Sequence, residues 1–447
     1  MNLLTNGRVI TRDEGGKGYY EKGAVAYEGT KIVEVGEEAA LRAKYPQAEI
    51  IDAKGGVIMP AFINAHTHIY SALARGLSIV GNNPTNFYEV LDGTWWAMDR
   101  KLTLEGSRAS ADALYIDCIK QGVTTIFDHH AAYCEIPGSL FQIGESAKKF
   151  GIRSCLCYEV SDRDGEEKCL QAIKENADFI TYCQKQNDPM LAAMFGGHAL
   201  FTISDKTFDR MVEANNGRTG YHIHVSEGMN DVYDSLQNYG RRPVQRLQDH
   251  GILGEKTILG HCIHVNTAEM DIIRETNTMV VNNPESNMGN AIGICPVLQL
   301  YKRGILLGMG TDAYTNDMLE SLKVALCSQR SQNCLPNVGW CEVTDMLFKN
   351  NAKIGARYFP DELGVLKAGA AADIIVMDYK PFTPFSDENI DGHMIFGMTG
   401  RQCQTTIAAG KVLMKDRVLV NIDEEAETAH ILEAAKKLWG DLNHRTY

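Results

Sequence analysis

Between residues 57 and 313 the chain repeats one pattern: a short, nearly unbroken apolar run that ends on polar residues, then a longer stretch of helical periodicity. The runs are VIMPAFINAHTH (57–68), VTTIFDHH (123–130), RSCLCYEV (153–160), LAAMFGGHAL (191–200), TGYHIHVSE (219–227), TILGHCIHV (257–265), TMVVNNPES (278–286) and ILLGMGTDA (305–313). Continuous apolar character, without in–out alternation, is what strands of a parallel sheet need when both faces are covered. Intervening segments such as SLFQIGESAKKFG and TAEMDIIRET fit helices. Eight strand–helix units predict an α/β chain whose centre is a (β/α)₈, TIM-like barrel, with an open doubly wound sheet as the alternative.

The two ends read differently. Residues 1–58 and 364–420 alternate short apolar runs with Asn-Gly and Gly-Gly turns, in LLTNGRVI, GAVAYEGTKIVEVG and TTIAAGKVLMKDRVLV. This predicts one composite β-sandwich domain built from both ends, around a barrel domain at 59–363. Residues 421–447 form a C-terminal helix, running from about Glu424 to Leu442 with Asp423 as its N-cap.

Composition narrows the partners. With 44% hydrophobic residues and a net charge of −13, the chain has a large core and a surface that repels nucleic acid and anionic membranes. No run of about 18 apolar residues marks a membrane span. The N-terminus has no signal-peptide pattern. Twelve scattered cysteines read as reduced thiols of a cytoplasmic protein; the close pair Cys155 and Cys157 reads as core packing.

The polar residues of the middle region fall at the ends of the predicted strands: His66 and His68, then Asp128 with His129 and His130, then His198, His224 with Glu227, His261, Asn283 to Asn287, and Asp312. In a barrel these ends all open on the face where barrel enzymes carry out chemistry. Alternation along a strand puts His66 and His68 on one face, able to reach one ion. His222 and His224 are related in the same way, and one of them suffices. Three imidazoles and a carboxylate suit one divalent metal per chain, zinc first, with iron or manganese as alternatives. Such a site keeps a position for water and brings its pKa toward neutrality.

The stretches MPAFINAHTH (59–68), GVTTIFD (122–128), HIHVSE (222–227), GHCIHV (260–265), NNPESNMGNAIGICPV (282–297), GMGTDA (308–313) and LGVLKAGAAADIIVMD (363–378) together resemble the amidohydrolase superfamily. Within it they resemble the aminohydrolase branch of guanine deaminase, the adenosine-analogue deaminases and the triazine hydrolases. The segment 86–105 and the DHH of the second strand look most like aminohydrolases encoded with selenium- and purine-metabolism genes. The resemblance implies His66, His68, His224 and Asp312 as metal ligands. It implies Asp312 also as proton acceptor from water, His261 as the group orienting that water, and Glu227 as proton donor to a substrate nitrogen. It also implies that His198, Ser286, Asn287, Trp95 and Trp96 touch substrate, with packing as the alternative for the tryptophans. His129, His130 and His264 are left as supporting groups.

Two departures stand out. The fourth run carries His198 and no lysine, which argues against a bridged two-metal site, and Asn282 stands where the superfamily often has His. The expected reaction is deamination of an amino-substituted N-heterocycle (purine-, pterin- or triazine-like) with release of ammonia. The alternatives are ring opening of a cyclic amide or displacement of another leaving group. A purely regulatory metal-binding role does not need the set Glu227, His261 and Asp312. The expected partner is a small heterocyclic substrate, and a homodimer is left open.

Overall fold

A computed structural model describes residues 1–447. Its central strands are Phe62–Thr67, Val123–Asp128, Arg153–Leu156, a fourth in two pieces (Leu191–Ala193 and Phe195–Ala199), Tyr221–Val225, Ile258–His261, Met279–Asn282 and Leu307–Met309. All pair in parallel, as one ladder of four strands and one of five. Isolated parallel bridges join the ladders at both ends, Thr67 to Asp312 and Val160 to Gly197. This is the circuit of a (β/α)₈ barrel, and the second piece of the fourth strand begins the ladder of five. Nearly every residue of these strands is buried, which accounts for their apolar sequence.

Between them run helices with ordinary end chemistry. Helix Leu104–Gln121 starts where the Thr103 side chain accepts the Gly106 N–H, and stops at Gly122 with φ of 79°. Glycine is needed there twice over, because the conformation is left-handed and a Cβ would stand 3.0 Å from Ile375. Ser139–Phe150 and Thr267–Glu275 are helical as expected.

Strands from both chain ends share one nine-stranded sheet. Val57–Pro60 lies between Asn2–Ile10 and Ile374–Met377, with Ile58 opposite Val376. One face has its own core of Leu4, Val9, Val25, Ile58, Ile374 and Ile407, distinct from that of the barrel. Asp373 stitches the sheet to the closed end of the barrel. It pairs with the fully buried Arg153 and accepts from Thr124 Oγ1 at 3.0 Å and from the Ala409 N–H at 2.7 Å.

The last helix, Glu424–Asn443, is capped by the Asp423 side chain, which accepts the Ala426 N–H at 3.1 Å. It lies along helix 104–121. It also holds the segment after the first barrel strand: Trp439 Nε1 donates to Leu73 O at 2.8 Å, and Asn443 Nδ2 to Ser78 O at 3.0 Å. No helix is long and apolar enough to cross a membrane.

Candidate metal centre and active site

Four side chains from two barrel strands and one strand-end turn converge: His66 and His68 from the end of the first strand, His224 from the fifth, and Asp312 just after the eighth. His68 Nε2 is 2.8 Å and His66 Nε2 3.6 Å from Asp312 Oδ1, and His224 Nε2 is 3.2 Å from His68 Nε2. The far nitrogens are engaged elsewhere. His68 Nδ1 donates to His129 O at 2.6 Å, His224 Nδ1 donates to His198 O at 2.8 Å, and His66 Nδ1 meets His222 Nε2 at 2.8 Å. These contacts fix tautomers whose Nε2 lone pairs all face the centre. His66 Nε2 is buried and has no hydrogen-bond partner.

Lone pairs packed together beside a carboxylate are repulsive unless a cation sits among them, and three imidazoles with one carboxylate form a donor set for a divalent metal. The residues therefore fit the ion that the sequence implies. Burial keeps His66 neutral by lowering its pKa to about 3, and lowers that of His224 well below the usual value. For His68 burial works the same way, but the Asp312 carboxylate outweighs it and raises the pKa to about 9. His222 lies one step deeper in the barrel, behind His66.

Around the centre stand the acid–base groups. Burial, and then the charge of Asp312, push the Glu227 pKa well above the ordinary carboxylate range. Glu227 is thus a neutral acid with a proton to give, and its Oε1 is 3.7 Å from His261 Nε2. His261 Nδ1 donates to Asn287 Oδ1 at 2.8 Å, and Asn287 Nδ2 donates to Asn282 Oδ1 at 3.0 Å. Burial holds His261 neutral, so its Nε2 faces the centre as an acceptor. Ser286 Oγ donates to Asp312 Oδ2. Ser286 and Asn287 are buried against these catalytic candidates, and neither lines the cavity. Three of the turns carrying this chemistry use left-handed backbone at non-glycine residues: Ser226 (φ 50°), His261 (φ 69°) and Asp312 (φ 55°). Strain of that kind is held only where surrounding contacts over-determine it, and it gathers at functional sites.

A cavity of about 30 Å³ opens beside the centre, lined among others by His68, Tyr70, Trp95, Glu159, His198, His224, Glu227 and Asp312. A second, of about 380 Å³, adjoins it and shares Trp95, Asp312, Ala313 and Tyr314 as walls. Trp95 thus borders both. Trp96 lies behind, donating from Nε1 to His198 Nε2 at 3.3 Å. His130 Nε2 meets Ser107 Oγ at 3.4 Å and His264 Nε2 donates to Ile292 O at 2.8 Å, both away from the centre. Asp128 accepts the Ile69 N–H at 2.7 Å and shapes the turn after the first strand.

One residue escaped the reading of strand ends. Glu159 closes the third run, buried at the cavity wall, with Oε1 2.9 Å from His129 Nδ1 and 3.4 Å from His68 Nδ1. Burial opposes its charge, but the imidazoles of His198, His129 and His68 outweigh it and keep the pKa below the usual carboxylate value. The available signal was positional: a charged residue ending a barrel strand, as on the neighbouring strands.

The fold and this centre define a metal-dependent hydrolase of the amidohydrolase family. The chain belongs to that family by sequence, matching it over residues 57–413. A short match at residues 23–48 is to an imidazolonepropionase-like composite domain of bacteria. Among curated relatives, a 5'-deoxyadenosine deaminase of Methanosarcina mazei is 30% identical over 452 residues, spanning 99% of each chain. A 5-methylthioadenosine/S-adenosylhomocysteine deaminase of Thermococcus sibiricus is 31% identical, over 92% of this chain and 93% of the relative. An adenosine deaminase from Xanthomonas campestris, solved with bound zinc, shares the fold with a TM-score of 0.84 at 22% identity, over 98% of both chains. The protein is accordingly an enzyme, an aminohydrolase acting on carbon–nitrogen bonds.

Proposed function

We propose that the protein hydrolyses the exocyclic C–NH₂ bond of an amino-substituted N-heterocycle of the adenine kind and releases ammonia. The observation that carries this reading is the carboxyl group of Glu227, 3.7 Å from His261 and beside the four-ligand cluster, because deamination needs a proton delivered to a ring nitrogen during attack. The named activities of the two deaminase relatives support it.

His66, His68, His224 and Asp312 hold the metal, zinc by its preference for imidazole nitrogen. When bound it acidifies water, so that a nucleophile is available near neutral pH. Asp312 takes the proton from the attacking water on the oxygen not committed to the cluster. His261, fixed by Asn287, accepts a hydrogen bond from that water and aims it. Glu227 protonates the ring nitrogen next to the carbon under attack, so no negative charge is left on the ring. Glu227, now a carboxylate, takes the hydroxyl proton of the adduct to the departing amino group as the ring carbonyl forms, and the proton held by Asp312 then restores it. The inner cavity is too small for a heterocycle, so substrate enters as Trp95 or Tyr314 moves and the outer cavity joins it. Twelve cysteines without a disulfide fit a reducing compartment, and we place the enzyme in the cytoplasm.

A panel of amino-purines, their nucleosides, amino-pterins and amino-triazines, read by ammonia release, tests the assignment. Ammonia from at least one purine is the expected result. Ring opening of a cyclic amide without ammonia from any member would overturn it.

A further inference from the structure

The cavity wall carries a second acid with no part in the deamination steps above. Glu159 ends the third barrel run and Glu227 follows the fifth strand, with His198 on the fourth between them. Glu159 is 2% exposed. Its two oxygens differ. Oε1 receives His129 Nδ1 at 2.9 Å, while Oε2 has no hydrogen-bond donor and stands 3.7 Å from His198 Nε2.

His198 cannot serve Oε2. Its Nδ1 donates to Thr202 Oγ1 at 3.0 Å, since the Thr202 hydroxyl spends its own hydrogen on Ala199 O at 2.8 Å. His198 Nε2 is therefore an acceptor, already taken by the Trp96 N–H. Nor is Glu159 placed as a ligand of a second metal, although it lies in a cluster with His68, His129 and His224. His129 Nε2 faces the His222 carbonyl at 2.9 Å, which can only accept, and its Nδ1 faces the Glu159 carboxylate. One hydrogen lies on the contact of Nε2 with that carbonyl and another between Nδ1 and Glu159 Oε1, so neither ring nitrogen is free for an ion. The contact with His129 occupies Glu159 Oε1 and leaves the other oxygen turned to the cavity. No lysine or arginine lines that cavity, so nothing in it matches an anionic group on a ligand.

We infer that Glu159 Oε2 is a recognition point for an N–H donor on the substrate ring other than the amino group removed, which selects neutral heterocycles presenting an amino group rather than a carbonyl at that position. A buried acceptor left without a donor costs about 1–3 kcal/mol, more when charged, so a ring that supplies one is favoured over a ring presenting a carbonyl there. The inference rests on the deaminase reading for the orientation of the ring, but its test does not depend on ammonia.

The test compares two purines that differ in one group: 2,6-diaminopurine presents an amino group at the 2-position, and isoguanine a carbonyl. Dissociation constants are measured calorimetrically on metal-loaded Glu227→Gln protein, with and without Glu159→Gln, and metal content is determined for each. In Glu159→Gln the amide oxygen remains with His129, so an NH₂ replaces the free oxygen and turns an acceptor into a donor. We expect at least a tenfold preference for diaminopurine with Glu159 in place, lost or reversed in Glu159→Gln, at one metal per chain throughout. Equal affinities, failure of diaminopurine to bind, or an unchanged preference in Glu159→Gln overturns the inference. Two metals per chain overturn it as well, as does a preference that follows only sugar hydroxyls, seen as adenosine over 2',3'-dideoxyadenosine. Should Glu159→Gln fail to fold, the preference of the protein retaining Glu159 decides the matter. If Glu227→Gln consumes the purines at an undiminished rate, the deaminase assignment of Glu227 has failed instead, a distinct outcome.

Discussion

The Nε2 atoms of His68 and His224 lie 3.2 Å apart with both lone pairs directed at the same point. A cation bound between them stabilises the folded chain, because the unfolded chain has no such convergent site, so metal and fold are linked. Chelation is expected to lower the thermal midpoint, by an amount equivalent to about 2.7 kcal/mol when the metal had been present at a hundredfold excess over its Kd. Proton and metal compete for His68, whose pKa of about 9 in the metal-free site sets the sign. Below pH 9 a proton must leave before metal binds, so apparent affinity falls up to about tenfold for each unit of acidification. Titrations with zinc at several pH values check this; an affinity independent of pH between 6 and 8 contradicts it.

Glu227→Gln keeps the shape of the side chain and removes its proton. Turnover should fall at least about a hundredfold, within the range of roughly 10²–10⁴ for general acid–base help. Metal content should stay the same, because Glu227 is outside the four-ligand cluster. Steady-state kinetics with metal analysis on the same preparation separates the two effects.

Asn287 acts on chemistry through His261, whose Nδ1–H it accepts at 2.8 Å. Asn287→Leu frees the imidazole to take the other tautomer. Loss of an orienting partner of this type typically costs about 10–100-fold. The loss should fall on kcat more than on KM, with metal retained. Asn287→Asp, which preserves the acceptor, should recover most of the rate; a Leu variant at full speed would remove Asn287 from the positioning set.

Asp373 holds the fully buried Arg153. Asp373→Ala leaves the buried guanidinium with only the more distant Asp361 carboxylate at 3.8 Å, a loss toward the lower end of roughly 3–5 kcal/mol. Denaturant midpoints should drop accordingly, while whatever remains folded keeps its kcat, since neither residue lines the active-site cavity. A variant as stable as the parent would show that Asp361, 3.8 Å from the Arg153 guanidinium, is counter-charge enough.

Much of this architecture is legible in the sequence because barrel strands are buried on both faces and their ends share one rim. Pattern alone thus located the eight runs and the histidines that finish them. The terminal helix, with Asp423 as its cap, follows from capping chemistry in the same way. Depth was not legible. His222 and His224 alternate onto one face, and only the position of each layer relative to the rim puts one behind His66 and the other at the centre. The fourth run gave no sign of its break at Met194, where the chain passes from one ladder to the other. Ser286 and Asn287 lie in a matched motif, yet motif position does not tell whether a side chain faces substrate or braces a catalytic neighbour; their hydrogen bonds to Asp312 and His261 do. Glu159 was hidden by its run, whose regular strand stops at Leu156 and leaves Glu159 between isolated bridges at Tyr158 and Val160.

The pairing of Val57–Pro60 with Ile374–Met377 also has a consequence in time. The ribosome makes the inner strand of that pair about 310 residues before its partner, a delay of roughly 15–60 s at about 5–20 residues per second. Through that interval the early strands have an open edge and an uncovered apolar face, which other chains can join. Nascent protein therefore depends on something to shield its first sixty residues. Slowing synthesis downstream of them should lower the yield of folded enzyme, while leaving the stability of what has folded untouched.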